Sequence, residues 1–345
     1  MPGEHYRRRV TGSGPQATSL AAAVQAGVAG AGIPRLAAGV ERLMSAYRSG
    51  EVPAAPVMSS GIDAAAYAAY RMPATAAATA AALREMQRSL DGWRPASLLD
   101  LGAGTGGAAW AAATELAGLE SLTLLEQSPD AIRLGQAILA RAESGPLRSA
   151  SWQRWQLRDS DPGAPWAPPG ITAELATAAY VLGELPPGLR ALLVSLAAQA
   201  APAVLLVEPG TPAGHRRILA AREQLLAAGF RIAAPCPHQL GCPLDVPGDW
   251  CHFGVRLQRS AVHRQVKGAE LSYEDEKFSY VAAVRVPGEP QLPAGRVVRR
   301  PQQRKGLVML DLCGSDGQSH RELVSKSMGE PYRRARKTSW GDRWD

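Results

Sequence analysis

Four cysteines, all in the last third of a 345-residue chain, carry the most specific chemistry in this sequence. Three stand close together in Cys236-Pro-His-Gln-Leu-Gly-Cys242-Pro-Leu-Asp-Val-Pro-Gly-Asp-Trp-Cys251, and Cys313 follows later. Free cysteine is often only a small buried hydrophobe. Clustering of this kind points instead to one thiolate site, for a metal ion or an iron–sulfur cluster. A disulfide framework fits poorly, because the chain is long and opens on the polar, basic stretch Met1 to Arg9 with no apolar signal segment. A reducing, cytoplasmic location is therefore expected. Prolines follow Cys236 and Cys242, as in ferredoxin-type ligation, where proline stiffens the loop and removes an amide donor near the sulfurs. Five residues separate the first two cysteines and eight the next two, a poor match to the Cys-x2-Cys knuckle of zinc ribbons. Iron–sulfur is favoured on spacing, and zinc stays as the alternative, with His238 and His252 as possible substitute ligands.

A second constellation lies upstream in Asp100-Leu-Gly102-Ala-Gly104-Thr-Gly106. Ser97 to Leu101 reads as a buried strand, the glycines as a turn, and Gly107 to Leu116 as a helix. Leu122 to Glu126 reads as a second strand that ends in a carboxylate twenty residues after Gly106. Glycines allow a tight turn and close backbone approach, the helix start offers free amides, and Glu126 can accept hydrogen bonds from a ribose diol. The ligand expected is a nucleoside-bearing cofactor. Gly-x-Gly-x-Gly after an aspartate differs from the Gly-x-Gly-x-x-Gly of dinucleotide binders. It resembles motif I of class I S-adenosylmethionine-dependent methyltransferases, with Glu126 in the motif II position, and that resemblance implies that Asp159 reads the adenine amine. Asp100, Gly102, Gly104, Gly106, Glu126, Asp159 and Tyr180 form the expected cofactor-binding set. No catalytic base can be assigned. The edge Ala-Ala-Tyr180-Val-Leu-Gly-Glu184-Leu-Pro-Pro lacks the Asn/Asp-Pro-Pro-Tyr/Phe loop of amino-group methyltransferases, and no cysteine lies near the cofactor edge in sequence. Tyr180 and Glu184 either line a substrate pocket or pack the sheet edge and cap a helix.

The elements that must position these residues alternate strand and helix. Ala176 to Leu182 and Ala203 to Glu208 are further strands, and Arg216 to Ala228 is a helix, giving an α/β fold with a mostly parallel, doubly wound sheet. Residues 1–92 form an Ala-rich helical N-terminal region, 93–286 the methyltransferase-like domain with a Cys-rich insertion at about 234–253, and 287–345 a basic β module with a tail. Tyr273 to Tyr280 reads as a loop entering a strand at Val281. In the final module Arg296 to Pro301, Gly306 to Cys313 and His320 to Lys326 read as three short strands. Cys313 would tie that module to the other three cysteines. From Arg296 onward the chain has 12 Lys plus Arg against 6 Asp plus Glu, so most of its net charge of +7 sits in the last fifty residues. An acidic polymer suits that end, although a merely solvating tail is the simpler reading. No stretch is apolar enough to span a membrane.

The run from Cys236 through Trp250-Cys-His-Phe253, then Arg259-Ser-Ala-Val-His263, Lys267, Tyr273 to Tyr280, Leu310-Asp-Leu-Cys313 and the ending Arg336 to Trp344 resembles a family of small-ribosomal-subunit assembly factors, the methyltransferase-like protein seventeen family, with yeast and bacterial relatives. The resemblance covers about Tyr70 to the end. It implies a class I methyltransferase fold that binds S-adenosyl-L-methionine, a [4Fe-4S] cluster held by Cys236, Cys242, Cys251 and Cys313, and binding to the small ribosomal subunit and its rRNA by a protein that is monomeric when free. An assembly or translation-associated factor is the function expected; an active rRNA methyltransferase using the same pocket is the alternative.

Overall fold

The computed structural model describes residues 19–49, 57–158 and 171–345. Four helices come first: α1 (Leu20–Val28), α2 (Ile33–Ser49), α3 (Gly61–Tyr70) and α4 (Met72–Ser89). The alternating section follows with β1 (Ser97–Leu101), α5 (Gly107–Glu115), β2 (Ser121–Glu126), α6 (Pro129–Leu139), α7 (Gly145–Arg148), β3 (Ser151–Arg154), β4 (Leu175–Ala179), α8 (Pro187–Ala200), β5 (Ala203–Pro209), α9 (Pro212–Ala227) and β6 (Arg231–Ala234). Then come β7 (Phe253–Gln258), α10 (Ala261–Lys267) and β8 (Tyr273–Val284). The chain closes with β9 (Gly295–Val297), β10 (Gln302–Arg304), β11 (Leu307–Gly314), β12 (Ser319–Ser325), α11 (Glu330–Ala335) and β13 (Arg343–Trp344).

The larger sheet has the order β3-β2-β1-β4-β5-β8-β6, with β7 also paired to β8. Strands β1 to β5 pair in parallel, whereas β8 runs antiparallel to β5, β6 and β7. The central strands β4 and β5 are almost wholly buried, as strands covered by helices on both faces must be. One face buries Leu98, Leu122 and Leu124 against α4, α5 and α6; the other buries Leu99, Leu101 and Leu206 against α8 and α9. This is a class I S-adenosylmethionine-dependent methyltransferase-like fold with a mixed sheet. A five-stranded antiparallel sheet of β9 to β13 forms the C-terminal module around Val297, Leu310 and Val324. Among the described residues no single helix is long and apolar enough to cross a membrane.

Tyr273 to Tyr280 is strand, where the sequence suggested a loop. Its charges look like a solvated face but are paired across the strand. Arg259 and Lys267 each hold Glu274 at 2.7 Å, and Arg256 holds Asp275 at 2.7 Å. Burial opposes ionisation of Glu274, yet hydrogen bonds from His263, Lys267 and Arg259 keep its carboxyl well below the usual range. The whole of β8 can therefore be strand despite four consecutive charged residues.

One edge of β8 is split. Its first half, Tyr273 to Phe278, pairs with β7, and its end, Ala282 to Val284, pairs with β6. The chain between β6 and β7 is the segment that carries Cys236, Cys242 and Cys251, so the topology delivers three thiols to the gap.

Candidate functional site

Two sites lie along the carboxyl edge of the large sheet and the edge of β8. The first is a cleft of about 740 Å³, open to solvent, floored by Gly102, Gly104, Glu126 and Tyr180. The turn after β1 needs its glycines: Gly102 has φ +70° and a Cβ there would sit 2.7 Å from Val181 Cγ2. Gly106 also has positive φ, but it faces Leu139 and Trp152 rather than the cleft. Asp100 lies beneath the turn, 1% exposed, and accepts a hydrogen bond from Thr177 Oγ1 at 2.7 Å. Burial pushes its carboxyl up to about 7. Asp100 and Gly106 thus shape the turn from outside the cleft. Asp159 lies outside the described residues.

Glu126 is held by the backbone. The Gly104 amide donates to Oε2 at 2.9 Å and the Ser128 amide to Oε1 at 2.8 Å. Burial raises its carboxyl above the usual range, and the amide donors oppose that rise. Each oxygen keeps acceptor capacity for a diol. The helical leader roofs the cleft through Met58 and Tyr67, with Ser128 Oγ donating to the Met58 carbonyl at 2.8 Å. Trp155, Gln156 and Leu157 close it on the side of β3.

Tyr180 has φ +63°, the one positive value among described non-glycine residues. Such a backbone costs roughly 1–3 kcal/mol and persists only where the surroundings enforce it. Its hydroxyl donates to Glu276 Oε1 at 2.9 Å, and Arg71 lies 3.9 Å from its ring centroid and 3.0 Å from Glu276. The leader, the β4 edge and β8 therefore meet in one buried knot at the cleft. Arg71 and Glu276 are about two hundred residues apart, and nothing in the sequence pointed to their meeting.

The second site is a cavity onto which Cys236, Cys242, Cys251 and Cys313 all face. All four are free thiols. Cys313 arrives on β11 of the C-terminal module, and Leu244, Val298, Cys242 and Cys251 pack around it. Ser279 and Tyr280, in the split of β8, form one wall, and Ser279 Oγ donates to the Cys251 carbonyl at 2.8 Å. Helix α9 forms another with His215, Ile218, Leu219 and Arg222, a stripe at helical spacing. Burial, and then the neighbouring thiols, push Cys313 up to about 12; burial raises Cys242 to about 11 and Cys251 well above the usual thiol range.

His238 and His215 approach this cavity as partners of sulfur. His238 Nε2 lies 3.3 Å from Cys313 Sγ, and His215 Nε2 lies 3.9 Å from Cys242 Sγ. His252 does not line the cavity. Its ring stacks on Trp250 with centroids 5.1 Å apart and meets Trp340 edge-on. Among the described residues no group of three or more His, Cys, Asp or Glu side chains is arranged to hold a metal ion. The donor chemistry nonetheless suits a soft metal centre: four sulfurs facing one cavity, no carboxylate lining it, and imidazoles within reach of two sulfurs. Sequence reasoning missed His215 and Arg222, although their spacing of seven on a helix places them on one face.

The human mitochondrial ribosome assembly protein METTL17 is 29% identical over 293 residues, covering 80% of this chain and 61% of that protein. The mitochondrial ribosome assembly protein RSM22 of Saccharomyces cerevisiae is 24% identical over 33% of this chain and 28% of its own length. The chain thus spans less than two thirds of these relatives. Among solved structures, a putative RNA methyltransferase from Pyrococcus horikoshii aligns at a TM-score of 0.38 and 13% identity, covering 61% of this chain and 82% of that one. The plantazolicin methyltransferase BpumL aligns at 0.38 and 13%, covering 76% and 99%. The cytoplasmic expectation is overturned, since the relatives from human, budding yeast and fission yeast are mitochondrial. That expectation rested on the missing apolar segment, which does not discriminate against Arg-rich amphipathic transit signals. A family model described as mitochondrial small ribosomal subunit Rsm22 matches residues 61–345, and the chain belongs to the Rsm22 family.

Proposed function

We propose that this protein is a small-ribosomal-subunit assembly factor that binds rRNA through its C-terminal module, with a [4Fe-4S] cluster on Cys236, Cys242, Cys251 and Cys313 as the clamp that holds the module in place. The observation that carries the reading is the delivery of four free thiols to one cavity by two chain segments, one on each side of the junction between the large sheet and the basic module. A single zinc ion would need its sulfurs about 3.8 Å apart, as follows from a Zn–S bond of about 2.3 Å. A cubane spaces its ligands more widely, and the intervals of five and eight residues with proline after Cys236 and Cys242 suit it better than a tight zinc knuckle. When bound, the cluster supplies a covalent cross-link between segments. The residues do the rest: α9 and β8 wall off water, and His215 and His238 are placed to hydrogen-bond two of the sulfurs.

The cleft is read as a site for S-adenosylmethionine, with Gly102 and Gly104 allowing close approach, Glu126 taking the ribose, and Tyr180 bordering the methionine end. Anaerobic purification with iron, sulfide and zinc analysis tests the clamp. About four irons per chain and rRNA binding that falls on cluster removal are expected; one zinc, or iron-free protein with unchanged rRNA binding, rejects it. Glu126→Ala tests the cleft. An rRNA methyltransferase loses methylation with this variant, whereas the proposed factor associates with small subunits nearly unchanged.

A further inference from the structure

The wall of the thiol cavity contains two buried arginines. Arg222 is 4% exposed and Arg296 is 1% exposed. Arg222 gives its Nη2 to the carbonyls of Leu240 at 2.6 Å and His238 at 3.3 Å, and its Nε has no partner. Among the described residues it joins no ion pair. Arg296 bonds the Pro235 and Gly341 carbonyls and Glu85, and its Nη2 is likewise without a partner. Glu85 is shared with Arg88 and Arg343, so one carboxylate serves three guanidiniums. A buried cation without a matching anion is strongly unfavourable.

We propose that Arg222 and Arg296 are the counter-charges of the cluster site, which hold the cluster in the protein and set its reduction potential. The inference rests on the cluster reading above. Four thiolates around an oxidised core carrying two positive charges leave two negative charges overall, and two guanidiniums neutralise them. Both arginines line the same cavity as the sulfurs, and each keeps one buried, unpartnered nitrogen as donor for a sulfur acceptor.

The test compares the wild-type protein with Arg222→Gln, Arg222→Lys and Leu219→Lys, all reconstituted anaerobically with iron and sulfide. Leu219 lines the cavity from the same helix, so a lysine there adds a cation. Iron release to a chelator and the midpoint potential are read for each. Arg222→Gln is expected to release iron about tenfold faster and to lower the potential by a tenfold shift in the reduction equilibrium, ~59 mV for one electron. Arg222→Lys keeps the wild-type potential, and Leu219→Lys raises it. Equal iron loss in the Gln and Lys variants with unchanged potentials would mean that Arg222 only ties the loop carbonyls, and the inference is overturned. Where Arg222→Gln does not fold, Arg222→Lys decides the matter: the charge is kept, so a potential that moves from the wild-type value overturns the inference. A wild-type protein that takes up no iron overturns the cluster reading itself, which separates that failure from this one.

Discussion

The glycine-turn cleft and the thiol cavity lie along the same sheet, yet their polar groups are in opposite states. In the cleft the key acid is already satisfied, with both Glu126 oxygens taking backbone amides and Tyr180 locked by Glu276 and Arg71. Around the cavity the polar groups are unfinished: four free thiols, two guanidiniums each with a nitrogen left without a partner, and a His238 Nδ1 without one. A finished site is pre-formed and survives loss of its ligand. An unfinished one draws folding energy from its guest. Losing the guest should therefore damage the cavity and its module far more than losing a cofactor damages the cleft.

The sharpest break in that contrast is Cys251→Ser. We expect it to remove iron and to cost more than about 3 kcal/mol of stability, because ligand binding at such a site is folding free energy. Protease should then cut between β8 and β9, and rRNA affinity should fall at least tenfold. Retained iron with an unchanged protease pattern would remove Cys251 from the site and make the cavity as self-sufficient as the cleft.

Asp100 tests the cleft through pH. Its carboxyl is raised by burial to about 7 from an ordinary 3.8, so the folded state prefers the neutral acid. The stability it allows is complete below about pH 4 and is lost as pH climbs through 7. The loss is ~4 kcal/mol at most. Asp100→Asn cannot ionise and escapes it. Denaturation midpoints measured from pH 4 to pH 8 should thus diverge in favour of the variant as pH rises, and a constant offset would show that the buried acid is not strained.

How legible each site was follows from how local it is. The floor of the cleft is one turn and one strand end, Gly102, Gly104 and Glu126, which glycine spacing and a following acid marked in sequence, whereas its roof of Met58 and Tyr67 and its side of Trp155 to Leu157 left no such mark. Strands β1, β2 and β5 were legible as short Leu- and Val-rich runs, broken inside by Asp100 in β1 and Thr123 in β2. Tyr273 to Tyr280 was not, because a run of four charges reads as loop until Arg256, Arg259 and Lys267 are seen beside it. The clustering of the cysteines was legible in sequence, and the structure brings all four to the wall of one cavity. Their surroundings were not, since Arg222 lies on a helix fourteen residues before Cys236 and Arg296 on a strand far after it. Burial of a lone arginine leaves no mark in sequence, where it looks like any surface charge.

The knot at the cleft mouth gives a smaller effect. Arg71→Met removes the cation from Glu276 and from the Tyr180 ring, both largely buried. Breaking one side of such a pair costs about 3 kcal/mol. It should also let Tyr180 leave its left-handed backbone, so binding of S-adenosylhomocysteine by calorimetry should weaken while iron content stays unchanged. A parallel fall in iron would show that the two sites are not separate.

The smallest effect on stability comes from an arginine that differs from Arg296 only in where it points. Arg304, at the end of β10, is exposed and joins no ion pair among the described residues, whereas Arg296, in β9 of the same sheet, is buried against the cavity. Arg304→Ala should change stability by less than about 0.5 kcal/mol, as surface substitutions do. If the module docks on phosphates, the same change should weaken binding to small-subunit rRNA similarly at any sequence and lower the salt dependence by about one ion. An unchanged salt slope would leave the outer face of the module as a solvating surface, and would place whatever charge recognition this protein has nearer the thiol cavity than the tail.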